Sequence, residues 1–320
     1  MSELLFLFLD TAMAIAPIVT IIFLLVLLGW WAARGLMSAV QKQQLSTLVS
    51  RFLIPFWLFL NAVTADLSHL MTTTYTVVYF MTALLFGVIV MLFNKRQSAV
   101  LVLASTYSNT LYFSLPIIAL VLGTSAMNYA LPIIMLNTFF VLTGYEFLKS
   151  RDEQKSLHLT SIHKILINSL SHPIVLSILL GLVVNIMLFK TTGLFITIKE
   201  QTAIPVLSLA LISLGVSLQA ISQKSYRTPW LAVMSKLIIF PLFVFCCAYY
   251  LFDLTNEIIQ VVVILAASPL AINSYFFVNG NKKAEQFIGR CILLSSFLCM
   301  VSMPLWIITL KIVFYLPTAS

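Results

Sequence analysis

The sequence predicts an all-α polytopic membrane protein: ten transmembrane helices as two inverted five-helix repeats, the fourth and ninth helices broken near their middles. Three observations carry this reading. Of the 320 residues, 61% are hydrophobic and only 9% charged, against roughly 45–50% and about 25% in soluble domains. Mean hydropathy is +1.06, and the apolar residues gather in runs near the ~20 needed to cross the hydrocarbon. Two of those runs, Ala104 to Pro116 and Ala266 to Ser274, are interrupted by proline among small polar residues.

The spans fall at 12–31, 45–63, 75–93, 98–122, 129–149, 166–188, 202–219, 230–251, 258–278 and 288–310. Glu3 and Asp10 precede the first span without a basic n-region, so it is expected to insert as its own anchor rather than be cleaved. Pro17 and Pro55 lie in the first and second spans, and the third is uncharged from Thr76 to Phe93. The fourth carries the first break. The fifth ends on Glu146 and Lys149, an i,i+3 pair expected to meet on one helix face. His172 and Pro173 read as an interfacial cap of the sixth span, while His158 and His163 fall in the one long hydrophilic stretch, Lys149 to Lys164, and read as solvated. Pro205 marks the seventh span, Lys236 and Pro241 the eighth, and the second break the ninth. Cys246, Cys247, Cys291 and Cys299 all lie within apolar runs and read as packing residues, with no disulfide or zinc pattern.

Charge tests this map independently, because short cytoplasmic loops hold most Lys and Arg. Alternate connections carry Arg34 and Lys42; Lys95 and Arg96; Lys149, Arg151, Lys155 and Lys164; Lys224 and Arg227; and Lys282, Lys283 and Arg290. The other side has only Lys190, Lys199 and Lys311. Both termini are therefore expected to face outward. The net charge of +8 follows from topology, since no basic stripe interleaved with aromatics points to nucleic acid.

Cutting at the long loop divides the chain into residues 1–149, a cytoplasmic connection 150–164, and residues 165–320. Five spans on each side, an odd number, give the halves opposite orientation. Proline spacing agrees: Pro17 with Pro173, Pro55 with Pro205 and Pro116 with Pro269 are offset by 156, 150 and 153.

A proline lacks a donor and crowds the preceding turn, so a helix meeting one kinks or stops and restarts. Ser268 reads as an N-cap with Pro269 at the first helical position, and Ser114 with Pro116 reads similarly. Unwound backbone at membrane depth survives only when buried or lining a wet cavity. If the breaks cross, amides and positive dipole ends from both restarts converge, a point that favours an anion. Ser105, Thr106, Ser108, Asn109, Thr110, Asn273 and Ser274 supply further polar groups, with Asn109 foremost as an amide in mid-span. Proline and small polar residues also make plain kinks and helix contacts; interruption at matching positions of two repeats is what points to a transporter's substrate site.

Five ordered pieces carry a likeness to a known family: Ser108 to Pro116; His172-Pro-Ile-Val with Gly181; Ile204 to Leu218; Lys236 to Pro241; and Ala267 to Asn273. They span nearly the whole chain, which resembles the auxin efflux carrier family, in its bacterial malate and malonate permease-like branch. The resemblance implies a fold like the bile-acid sodium symporters, with crossed broken helices four and nine. It implies a scaffold of helices 1, 2, 6 and 7, a mobile transport domain of helices 3–5 and 8–10, and an elevator motion. It also implies an organic-anion substrate, a bacterial inner-membrane location, which makes the outward side of both termini periplasmic, and a homodimer through helices 2 and 7. Plant members that this chain resembles use an acidic and a basic side chain in the third helix; Thr76 to Phe93 has neither, so that pair is not carried over.

Arg51 and Lys236 lie within two turns of the expected cytoplasmic span ends and are read as snorkelling to the headgroups. The alternative is that Lys236 reaches into the inward-facing cavity and attracts the anion. No acidic residue sits mid-span, which weakens a carboxylate sodium site; coupling to H+ or to Na+ held by backbone carbonyls stays open. No cofactor is expected. The sequence has no paired central aspartates, His-Glu-x-x-His or Gly-x-Ser-x-Gly, so an enzyme is not expected. The expected function is secondary transport of a small carboxylate; a channel-like pore or a substrate-binding sensor are the alternatives, and counterflow separates carrier from pore.

Overall fold

The computed structural model describes residues 2–65, 74–93, 98–152, 173–188, 193–220, 229–278 and 281–315. Its helices are α1 (Ser2–Gly35), α2 (Ala39–Val63), α3 (Thr74–Phe93), α4 (Ser98–Thr106), α5 (Thr110–Val121), α6 (Met127–Asp152), α7 (Pro173–Leu188), α8 (Gly193–Ala220), α9 (Trp230–Leu251), α10 (Asn256–Ala267), α11 (Ser274–Phe277) and α12 (Lys282–Tyr315). Among the described residues five helices are long and apolar enough to cross a membrane: α2, α3, α8, α9 and α12; shorter apolar helices include α5 and α10. His158, His163 and His172 lie outside the described residues, as do the connection from residue 153 onward, Lys95, Arg96, Lys155, Lys164, Lys190, Lys224, Arg227 and the Glu146 side chain.

Several helices outrun the hydropathy boundaries. α1 begins at Ser2 and α8 at Gly193, the latter carrying Lys199 and Glu200 inside regular helix. Hydropathy marks what enters the hydrocarbon, whereas a helix continues through the headgroups as long as its backbone bonds do. At the other end of the molecule α6 runs on to Asp152, whose Oδ2 accepts a hydrogen bond from the Ala99 amide at 3.0 Å. That carboxylate ties down one of the unpaired amides at the start of α4.

α1 packs on both α8 and α12, and α2 on both α7 and α8. The most extensive of these contacts run between α1 and α8 and between α2 and α7. Both contacts are glycine crossings: a Cβ on Gly29 would come within 2.0 Å of the Ile212 carbonyl oxygen, and one on Gly215 within 1.9 Å of the Val26 carbonyl oxygen. A Cβ on Gly181 would fall 2.7 Å from Ala62 Cβ. Small residues let membrane helices touch backbone to backbone, where dispersion replaces the absent hydrophobic drive. Asn185 reinforces the second pair, donating to the Ala62 and Ala65 carbonyls at 2.9 and 2.8 Å at the open end of α2.

α3, α4, α6, α9, α10 and α12 also pack among themselves. Central among them is α10, buried at every residue from Val261 to Ala267; a stretch apolar all round belongs in such a position. α5 touches α1 and α8 as well as α10, with Phe113 6.1 Å from Phe23 of α1 between ring centroids.

Three prolines follow widened, π-type turns: Val49–Leu53 before Pro55, Thr110–Ser114 before Pro116, and Ser235–Ile239 before Pro241. The wider turn makes room for the proline ring and absorbs its missing donor without ending the helix. Lys236 sits in the third of these turns.

Candidate functional site at the helix crossing

The two interruptions meet. Ser108 and Leu270 form an isolated antiparallel bridge, in which the Asn109 amide donates to the Pro269 carbonyl at 2.9 Å and the Ala271 amide to the Tyr107 carbonyl at 3.2 Å. Each unwound segment thus satisfies backbone groups of the other, which is what buried irregular backbone requires.

Asn109 restarts the chain as α5. Its Oδ1 accepts from the Tyr112 amide at 3.3 Å, an N-cap of the preferred residue type. Its Nδ2 is buried without a hydrogen-bond partner, and the residue is only 3% exposed. An orphaned buried donor costs about 1–3 kcal/mol, so this amide carries an unmet demand for an acceptor.

The sequence-based capping scheme needs correction at two serines. Ser114 is not the cap of the first restart; it lies inside α5 and donates to the Ile264 carbonyl at 3.2 Å, while Pro116 continues the helix. Nor does Ser268 cap a helix beginning at Pro269. Ser268 is extended (φ −66°, ψ 157°) at the end of α10, and its Oγ donates back to the Leu265 carbonyl at 2.9 Å. A residue before proline is driven out of the helical region, and the crossing strand then holds the chain extended. Helix resumes only at Ser274, in the four-residue α11. The expectation of two converging restart ends therefore holds for one: at the second break Leu270 N donates to Ser295 Oγ (3.1 Å), Ser274 N to the Ala271 carbonyl (3.1 Å) and Tyr275 N to the Ile272 carbonyl (3.0 Å).

Lys236 is 0% exposed and does not snorkel. Its Nζ donates to Ser108 Oγ at 2.9 Å and to the Ala266 carbonyl, and lies 5.1 Å from the Phe240 ring centroid. Ser108 Oγ in turn reaches the Ala266 carbonyl at 3.4 Å. Arg51, by contrast, is exposed. Thr110 and Ser274 are buried beside the crossing, whereas Asn273 is exposed. Ser105 is buried, and Thr106 Oγ1 donates back to the Val102 carbonyl at 2.8 Å.

Two contributors were missed in the sequence. Asn137 of α6 donates to the Ser108 carbonyl at 3.4 Å and to Thr110 Oγ1 at 3.3 Å, and Ser295 of α12 holds Leu270. Asn137 is an amide within an apolar run, the signal that picked out Asn109. A mainly apolar cavity of about 230 Å³ between α3, α4 and α6 reaches Thr106 and Asn137; neither Asn109 nor Lys236 is in its wall. The crossing itself is closed in this conformation. Among the described residues no cluster of His, Cys, Asp or Glu is arranged to hold a metal ion.

In class this is a multi-pass helical membrane protein built around two crossed, interrupted helices, with a lysine and a free amide donor at the crossing. A family model described as membrane transport protein matches residues 13–307, and the chain belongs to that family, the auxin efflux carrier family. It is a membrane transport protein. A search of curated proteins finds no match.

Proposed function

We propose that the protein is a secondary active transporter of a small organic anion, a malate- or malonate-like or indole-type acid, bound at the crossing. One observation carries this reading: the unpartnered Asn109 amide at the N-terminus of α5, next in sequence to the serine that holds Lys236. A helix start, a free amide and an ammonium all favour negative charge. The partners of that ammonium among the described residues are neutral.

Alternating access follows from burial. Asn109 is 3% exposed, so an anion reaches it only when α5 and the crossing shift against the helices around them. In this proposal α1, α2, α7 and α8, which share close glycine contacts, form the scaffold, and α3, α4, α6, α9, α10 and α12 form the mobile body in an elevator motion. Inverted repeats account for those contacts as equivalents. Gly29 and Gly181 are 152 residues apart and Ala62 and Ile212 are 150 apart, the interval of the proline pairs, so the α1–α8 and α2–α7 crossings exchange under repeat symmetry. In this reading ten spans place both termini in the periplasm of a bacterial inner membrane, and two copies associate through α2 and α8.

The test is uptake of labelled carboxylates into proteoliposomes. Saturable uptake accelerated by preloaded unlabelled substrate supports a carrier; non-saturating flux without counterflow indicates a pore, and binding without flux a sensor.

A further inference from the structure

We infer that Lys236 is the resident cation of the crossing: its ammonium fills a monovalent-cation site made of the open end of α10 and Ser108, so the protein needs no Na+ there. The last carbonyls of a helix lack intrahelical partners and carry its negative dipole end. Ala266 is in that last turn, and its carbonyl accepts from Lys236 Nζ. The neighbouring Ala267 carbonyl takes the Cys299 Sγ at 3.6 Å. Ser108 Oγ, brought across by the other interrupted helix, supplies a second oxygen 2.9 Å from Nζ, and the Phe240 ring, 5.1 Å away at its centroid, adds an aromatic face.

Carbonyl and hydroxyl oxygens at the C-terminal end of a half-helix are the ligands from which transporters of broken-helix design build sites for coupling cations. Here those ligands are occupied by a side chain anchored on α9. The widened turn at Ser235–Ile239 is where the lysine departs from the helix; such turns recur at functional positions. Lys236 also joins three elements, α9 through its backbone, α10 through Ala266 and the first break through Ser108, so the cation holds the crossing together as a bound ion would. The occupancy rests on geometry alone; the consequence for coupling rests on the carrier reading above.

The test is thermal unfolding of the purified full-length protein with NaCl replaced by choline chloride at equal ionic strength. The wild type is expected to unfold at the same temperature in both salts, and a rise of several degrees with Na+ overturns the proposal. Lys236→Ala is expected to unfold lower and to regain about 3 °C on addition of methylammonium or Na+, ions small enough for the vacated site, but not with choline. A folded Lys236→Ala protein that responds to none of these ions overturns it. Should that variant not fold, the wild-type salt comparison decides alone. Loss of carboxylate-induced stabilisation with the cation responses intact would count against the anion reading only.

Discussion

At the first interruption Asn109 stops the unwound chain by capping a twelve-residue helix and keeps its own side-chain amide free; at the second, Pro269 to Asn273 stay unwound, the amides of Leu270 and Ala271 are engaged, and a lysine closes the carbonyl end of the preceding helix. Two segments of similar composition thus take complementary parts, one presenting donors and the other presenting acceptors already matched to a cation. The difference arises where helix and unwound chain meet, at the end of the first unwound segment and at the start of the second. Asparagine caps well and tolerates the φ −78°, ψ 65° conformation seen at Asn109, whereas the Ser268-Pro269 step favours extended chain.

The largest departure from this arrangement is expected from Lys236→Met. It leaves Ser108 Oγ and the Ala266 carbonyl without their charged donor and is expected to destabilise the protein by about 3 kcal/mol, read as a fall in apparent Tm. Asn109→Ala is expected to weaken carboxylate binding about 10- to 100-fold, the worth of one hydrogen bond to a charged group, while the lost cap costs only about 1 kcal/mol of stability. Titration calorimetry of the folded variant separates the two. Pro269→Ala removes the step that turns Ser268 out of the helix; it is expected to let α10 extend into the crossing and to slow uptake with less effect on Tm. Asn137→Ala, which unties the Ser108 carbonyl and the Thr110 hydroxyl, is expected to cost about 1 kcal/mol. Asn273→Ala, on an exposed position, is expected to change stability by less than about 0.5 kcal/mol and to leave binding as it was. Equal effects of Asn109→Ala and Asn273→Ala would erase the distinction between the two interruptions.

The places where the helices break were legible in the sequence because proline and clustered small polar residues are local signals. The meeting of Ser108 with Leu270 was anticipated only as a condition, since pairing between segments so far apart leaves no local trace. Capping was misassigned at Ser114 and Ser268 because both serines are ordinary N-cap residues; in the fold their hydroxyls are drawn to the carbonyls of Ile264 and Leu265. Lys236 shows what depth along a helix omits. It lies only about 9 Å along the axis from the start of α9, close enough for a long side chain to reach the headgroups, and sequence alone does not give the direction in which it turns. Helix ends such as Ser2 and Gly193 escaped hydropathy because charged turns remain helical outside the hydrocarbon.

The most direct test of an anion site at the crossing is a thermal-shift comparison of wild type and Asn109→Ala against mono- and dicarboxylates, indole acids and their neutral esters. Binding to the folded state raises its apparent stability, so the acids are expected to raise the Tm of the wild type, the esters to leave it unchanged, and Asn109→Ala to lose the response. Equal stabilisation by esters and acids, or an undiminished acid response in Asn109→Ala, would contradict the account.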